Sequence, residues 1–103
     1  MSTRLFTNRT TDGVSTSKAI PDQVQGEPSF SGTLYAYGVF DGATLSAEGS
    51  IDNATWATIP AASLTAVGVI RFTFEGKHVR ARVAGAGGLT SITADLAAQT
   101  QLT

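Results

Sequence analysis

From Phe30 onward the chain alternates apolar and polar residues with a period of two, and Gly, Asp and Asn interrupt the alternation at short intervals. This pattern constrains the fold more than any other feature. A period of two sends successive side chains to opposite faces of a strand, whereas a helix needs apolar residues about every 3.6 positions. Strands are expected at about 29–40, 43–51, 54–59, 67–75, 77–84 and 89–97. No segment carries a convincing helical stripe. Ala61-Ala-Ser-Leu-Thr-Ala66 suits at most one helical turn, and Ala94-Asp-Leu-Ala-Ala-Gln99 reads equally as helix or strand. Short strands with frequent turns predict an all-β chain, an antiparallel β-sandwich or jelly roll.

The first 27 residues are polar and hold few apolar anchors. Residues 1–27 are expected to form an N-terminal arm and edge element, and residues 28–103 the sandwich domain. The extended arm covers residues 1–12, with Arg4, Leu5, Phe6 and Arg9 as its candidate contacts. Gly13 to Ile20 then supplies one strand before a turn at Pro21-Asp22. The competing expectation is a frayed terminus.

A chain of 103 residues makes one domain with a modest core. Its net charge is -1 and only 15% of its residues are charged, so little self-repulsion keeps copies apart. That composition suits a protein at home in an assembly. With no cysteine, disulfides, thiol catalysis and cysteine-held metals are excluded. No apolar run reaches signal-peptide or membrane-span length, which points to cytoplasmic synthesis and no membrane partner. The N-x-Thr sequons at Asn8 and Asn53 then read as accidents of a Thr-rich sequence.

Asp41-Gly42 is a strong signal for a two-residue type I′ turn, since both positions need positive φ. A hairpin on that turn places Phe40 opposite Ala43, Gly38 opposite Leu45, Ala36 opposite Ala47 and Leu34 opposite Gly49. Its other face carries Tyr35, Tyr37 and Val39, with Tyr35 opposite Glu48. Single outward tyrosines are ordinary in strands. Two at i and i+2 beside Val39 make a patch, and tyrosine is favoured where surfaces meet. Sugar stacking is a third use for them.

A second hairpin is expected over residues 67–84, turning at Gly76-Lys77 or Glu75-Gly76. It sends Phe74, Phe72, Ile70, Val79, Ala81 and Val83 to the core. Arg71 then faces Arg82 in one register and Arg80 in the other. Like charges opposed on a sheet destabilise it, so the arginines call for an anion: Glu75, Glu48 or a carboxylate from a neighbouring chain. A solvated charged face is the plain alternative. Nucleic acid is not an expected partner, because three arginines without net positive charge make a weak footprint.

Trp56, the single tryptophan, reads as a core plug, and its alternative is an exposed platform for sugar beside Asp52 and Asn53. No catalytic constellation stands out. His78 is the single histidine and lies next to a turn, and no G-x-S-x-G elbow is present. Gly85-Ala-Gly-Gly88 joins two strands and opens no helix, so it lacks the setting of a phosphate loop and reads as a flexible link. The expectation is a non-enzyme without a cofactor.

The run GVFDGATLSAEGSIDNATWATIP, residues 38–60, resembles a stretch found in small β-rich structural proteins of tailed bacteriophages. RFTFEGKHVRARVAGAGGLTSITADL, residues 71–96, resembles the closing part of the same layout. The likeness spans about residues 34–97 and rests on turns and core positions. It implies a virion protein, with a capsid decoration or cement protein the best fit. Such proteins commonly sit as trimers on the outer shell, bound to the major capsid protein, after synthesis in the host cytoplasm. On that footing Tyr35, Tyr37, Val39, Arg71, Arg80 and Arg82 form the subunit or shell interface. The alternatives are a tail or fibre module binding a host surface glycan, or another head or tail assembly component.

Overall fold

The structure, a computed structural model, describes residues 2–20 and 30–98. The expected turn at Pro21-Asp22 lies outside the described residues. Among the described residues nine strands follow one another: β1 (Ser2–Arg9), β2 (Gly13–Val14), β3 (Lys18–Ala19), β4 (Phe30–Val39), β5 (Thr44–Ser50), β6 (Ala57–Leu64), β7 (Gly68–Phe74), β8 (His78–Ala84) and β9 (Ser91–Ala98). They form two sheets. Sheet A has the order β1-β9-β4-β7, and sheet B the order β2-β8-β5-β6 with β3 also paired to β8. Every ladder is antiparallel. The fold is therefore the all-β sandwich expected. The chain changes sheets between successive strands except from β2 to β3 and from β5 to β6, and the strand order is that of a jelly roll.

The core lies between the sheets. Leu34, Ala36, Phe72, Ile92, Ala94 and Leu96 of sheet A meet Leu45, Ala47, Val79, Ala81 and Val83 of sheet B, all buried. These are the inward positions of the period-two pattern. Burying a leucine or phenylalanine side chain contributes about 1.5–3 kcal/mol.

Neither expected hairpin forms as a ladder. The Asp41-Gly42 turn is present: φ is 46° and 86°, and the Ala43 N–H donates to the Phe40 carbonyl at 2.9 Å. Yet β4 pairs with β7 and β9, and β5 pairs with β6 and β8. The turn steps from one sheet to the other. The reason is burial. Both arms carry a fully apolar inward face, and side-by-side pairing would leave that face needing a second layer. Stacking the arms as opposite layers lets each cover the other. Gly38, exposed with φ at 103°, redirects the chain just before the turn.

Residues 67–84 behave alike. β7 closes sheet A and β8 lies inside sheet B, while the Lys77 N–H donates to the Ser50 carbonyl at 2.9 Å. Arg71 therefore faces Thr33 across a ladder, rather than Arg80 or Arg82.

Two further expectations change. The stretch suited to a helical turn at residues 61–66 instead extends β6 to Leu64. There the ladder to β5 shifts between Glu48↔Thr58 and Ser46↔Ser63, so several β6 residues oppose Ala47 alone. Ala61 takes φ of 61° in this bulge, which buries Ile59 and Ala62 and turns Pro60 outward on an edge strand. The second change concerns the N-terminal segment. It is extended, as expected, but it is no arm apart from the sandwich. β1 pairs with β9 along sheet A, and β2 and β3 pair with β8. Phe6 supplies the reason: it is 6% exposed and belongs to the core.

Candidate functional site

The outer face of sheet A is built by alternation. With Leu34 and Ala36 inward, β4 presents Thr33, Tyr35, Tyr37 and Val39 outward. Tyr35 lies between Val69 of β7 and Asp95 of β9, Tyr37 lies beside Thr93, and Val39 beside Ser91. Tyr35 is half-buried among these neighbours, whereas Tyr37 is 46% exposed and Val39 51%. Val67 and Val69 add 60% and 55% exposed side chains on the β7 side. Leu89, 75% exposed, comes to the Val39 end because its N–H donates to the Asp41 carboxylate at 2.8 Å. Tyr37, Val39 and Val69 are thus exposed on adjacent strands of this face, and Val67 just before β7 and Leu89 beside the Asp41 turn are exposed as well. Val67 and Val69 were legible in the sequence, since the alternation that turns Arg71 outward turns them outward too.

Arg71 lies diagonal to Tyr35 on this face and has no ion pair among the described residues. Arg4 and Asp95 close the opposite flank with a salt bridge. The Asp95 hydrogen bond, and then its charge, push the Arg4 pKa up.

Arg80 and Arg82 stand on the other side of the molecule, on the outer face of sheet B. Glu48 lies between them, buried at 5% exposure. Arg80 donates to it at 2.7 Å, and Arg82 approaches at 3.5 Å. The anion that the arginines require is thus Glu48, one of the partners considered from sequence. Arg80 also stacks over Trp56, its guanidinium 4.2 Å from the ring centroid. Trp56 is therefore half-buried on this outer face and is no core plug. The loop that sets it there is held by Asp52. Its carboxylate accepts from the Ala54 and Thr55 N–H groups at 2.9 and 2.8 Å and from the Ser50 hydroxyl at 3.1 Å. The Thr55 and Ala54 bonds, with Ser50, lower the Asp52 pKa to about 2. No sequence signal announced the Trp56–Arg80 stack, because it depends on β5 pairing with both β6 and β8, which brings residues far apart in the chain to one face.

The four residues assigned to the arm serve the fold. Arg4 pairs with Asp95, Leu5 packs against the core and Phe6 lies in it. Arg9 sits 5.6 Å from the Phe6 ring centroid and donates to the Thr11 and Asp12 carbonyls at 2.7 and 2.6 Å. The Gly-rich link is also fastened. The Asp12 carboxylate accepts from the Ala86 N–H at 2.7 Å and the Gly85 N–H at 3.3 Å. These backbone donors are occupied by the chain's own carboxylate. The described residues hold no cluster of three or more His, Cys, Asp or Glu placed for a metal, and no helix long and apolar enough to cross a membrane.

The chain matches no known protein family, and neither a curated protein nor a solved structure matches it.

Proposed function

We propose that the protein is a capsid decoration, or cement, protein of a tailed bacteriophage. It binds the major capsid protein on the outside of the virion shell and stabilises the shell as a homotrimer. The outer face of sheet A is its subunit–subunit contact. One observation carries this reading: a small, nearly neutral jelly roll exposes Tyr37, Val39 and Val69 together on one sheet face, with Val67 and Leu89 exposed beside the adjoining turns. Exposed apolar surface of this kind marks association sites. The jelly roll is an architecture of viral capsid proteins as well as of lectins. The phage-like runs at residues 38–60 and 71–96 favour the former. Arg80 lying over the Trp56 ring counts against the glycan-binding alternative, which needs an open aromatic face.

The division of the arginines follows. Arg71 stands free to meet a carboxylate of the neighbouring subunit. Arg80 and Arg82 are engaged with Glu48 and fasten sheet B. The test is co-sedimentation with shells assembled from the cognate major capsid protein. Saturable pelleting, together with a raised shell melting temperature, is the expected result. Absence of pelleting at micromolar protein overturns the proposal.

A further inference from the structure

Edge strands β6 and β7 follow one another in the chain and pack along one border of the sandwich. At the end of that border away from their connection lies a cleft of about 390 Å³, lined by residues 49–52, 55, 57–60, 74 and 75. Its volume falls within the range of about 300–1,000 Å³ usual for small-ligand sites. Phe74 gives it an aromatic wall. The ring packs so closely on the backbone that a Cβ at Gly49 or Gly76 would collide with it. Phe30 and Phe72 hold the same ring from the core side, with centroids 5.8 and 6.2 Å away. Ile59 and Pro60 continue the apolar lining.

Asp52 and Glu75 bring two carboxylates to a lining that otherwise holds apolar side chains and the hydroxyls of Ser50, Thr55 and Thr58, and among the described residues no cation lines it. Neither carboxylate has an ion pair among the described residues. Asp52 keeps its charge down to a pH of about 2. Glu75 is exposed and makes no hydrogen bond among the described residues.

We propose that this cleft binds a basic side chain of the shell protein, a lysine or arginine. Its methylene stem lies on Phe74, Ile59 and Pro60, and its cationic head meets Glu75 and Asp52. The chemistry selects this class. Lysine and arginine stems cover apolar surface while their heads stay near water and anions. An aromatic face attracts a cation as well. A neutral apolar group would cover the Glu75 carboxylate without giving it a partner, and an anionic one would meet like charge. The inference rests on the reading of the protein as a shell-binding module and deepens it.

Side-chain mimics test the cleft without any shell. Backbone amide shifts are followed by NMR during titration with n-pentylamine, n-butylguanidinium, n-pentanol and pentanoate. The two cations are expected to shift the amides of Gly49, Ile51, Ala57, Thr58 and Phe74. They should bind about fivefold more tightly than the alcohol, the gain of one partly exposed ion pair. Pentanoate should produce no shift. Glu75→Gln should reduce the preference of cation over alcohol to less than about twofold, and Ala57→Phe, which fills the cleft, should abolish both. Shifts absent from these amides, equal response to alcohol and cation, or a preference unchanged in Glu75→Gln overturns the inference. Spermidine binding more tightly than the mimics would overturn it in favour of a free polyamine. If the mimics bind and shells do not pellet the protein, the cleft stands and the shell reading falls. If shells bind and the mimics do not, the reverse holds.

Discussion

At the residue scale, single side chains fasten the connections that carry the chain between sheets. Thr90 is the clearest case, at 3% exposure. Its hydroxyl donates to the Phe40 carbonyl and accepts from the Gly87 N–H, both at 2.8 Å. Thr90→Val keeps the shape, strands the Gly87 N–H and leaves the Phe40 carbonyl with its Ala43 bond alone, at a cost of about 1–3 kcal/mol. Urea unfolding measures it, and a change below about 0.5 kcal/mol, the scale of an ordinary surface substitution, would show that these bonds do not hold the turn. Asp52 predicts an acid dependence. Its folded pKa of about 2 lies below the ordinary carboxylate value, so the ionised form favours the folded loop. That contribution is complete above about pH 4 and is lost as pH falls through about 2. The Ala54 and Thr55 amides should titrate together with a midpoint near 2. Asp52→Asn should flatten the acid limb of the stability curve. A midpoint of about 4, the unperturbed value, would contradict the loop geometry.

At the element scale, two glycines four residues apart answer to different causes. Gly42 has φ of 86° and nothing within 4 Å of a Cβ position, so Gly42→Ala carries a conformational cost alone, about 1 kcal/mol. Gly38 has φ of 103°, and a Cβ there would collide with the Ser91 carbonyl oxygen. Gly38→Ala should therefore cost at least about twice as much, and equal losses would show that β4 and β9 do not approach as described. The same elements show what was legible in the sequence. Period-two alternation identified the inward residues of β4, β5, β7, β8 and β9, and the Asp41-Gly42 signal identified the turn and its φ values. Pairing partners were not legible. A type I′ turn fits a hairpin, and whether its arms lie side by side or in opposite layers depends on which remote strands cover them. Phe6 shows the same limit. Its polar neighbourhood reads as an arm, and only β9, far along the chain, gives β1 a place in the sheet. The exposed patch was half legible: Tyr35, Tyr37 and Val39 were found on β4, and Arg80 and Arg82 were placed with Arg71 because the β7–β8 pairing was wrong.

At the scale of the whole molecule, the jelly roll sorts the surface into regions of distinct character. Sheet A presents apolar side chains and a free Arg71. Sheet B presents a closed network of Glu48, Arg80, Arg82 and Trp56. The β6–β7 border presents the acidic-mouthed cleft. In the proposed assembly, sheet A meets a second copy and the cleft meets the shell. A ring of three needs a contact between unlike surfaces of neighbouring copies, so the outer face of sheet A must dock on a different patch of the next subunit. Arg71 then finds its carboxylate there.

The central claim is association through the outer face of sheet A, and size-exclusion chromatography with multi-angle light scattering tests it most directly. The comparison is the wild-type protein against Tyr37→Ser/Val69→Ser, two exposed positions whose replacement leaves the core untouched. A wild-type trimer and a monomeric variant with an unchanged circular dichroism spectrum are expected. A wild-type monomer at every concentration, or a variant that remains trimeric, would contradict it.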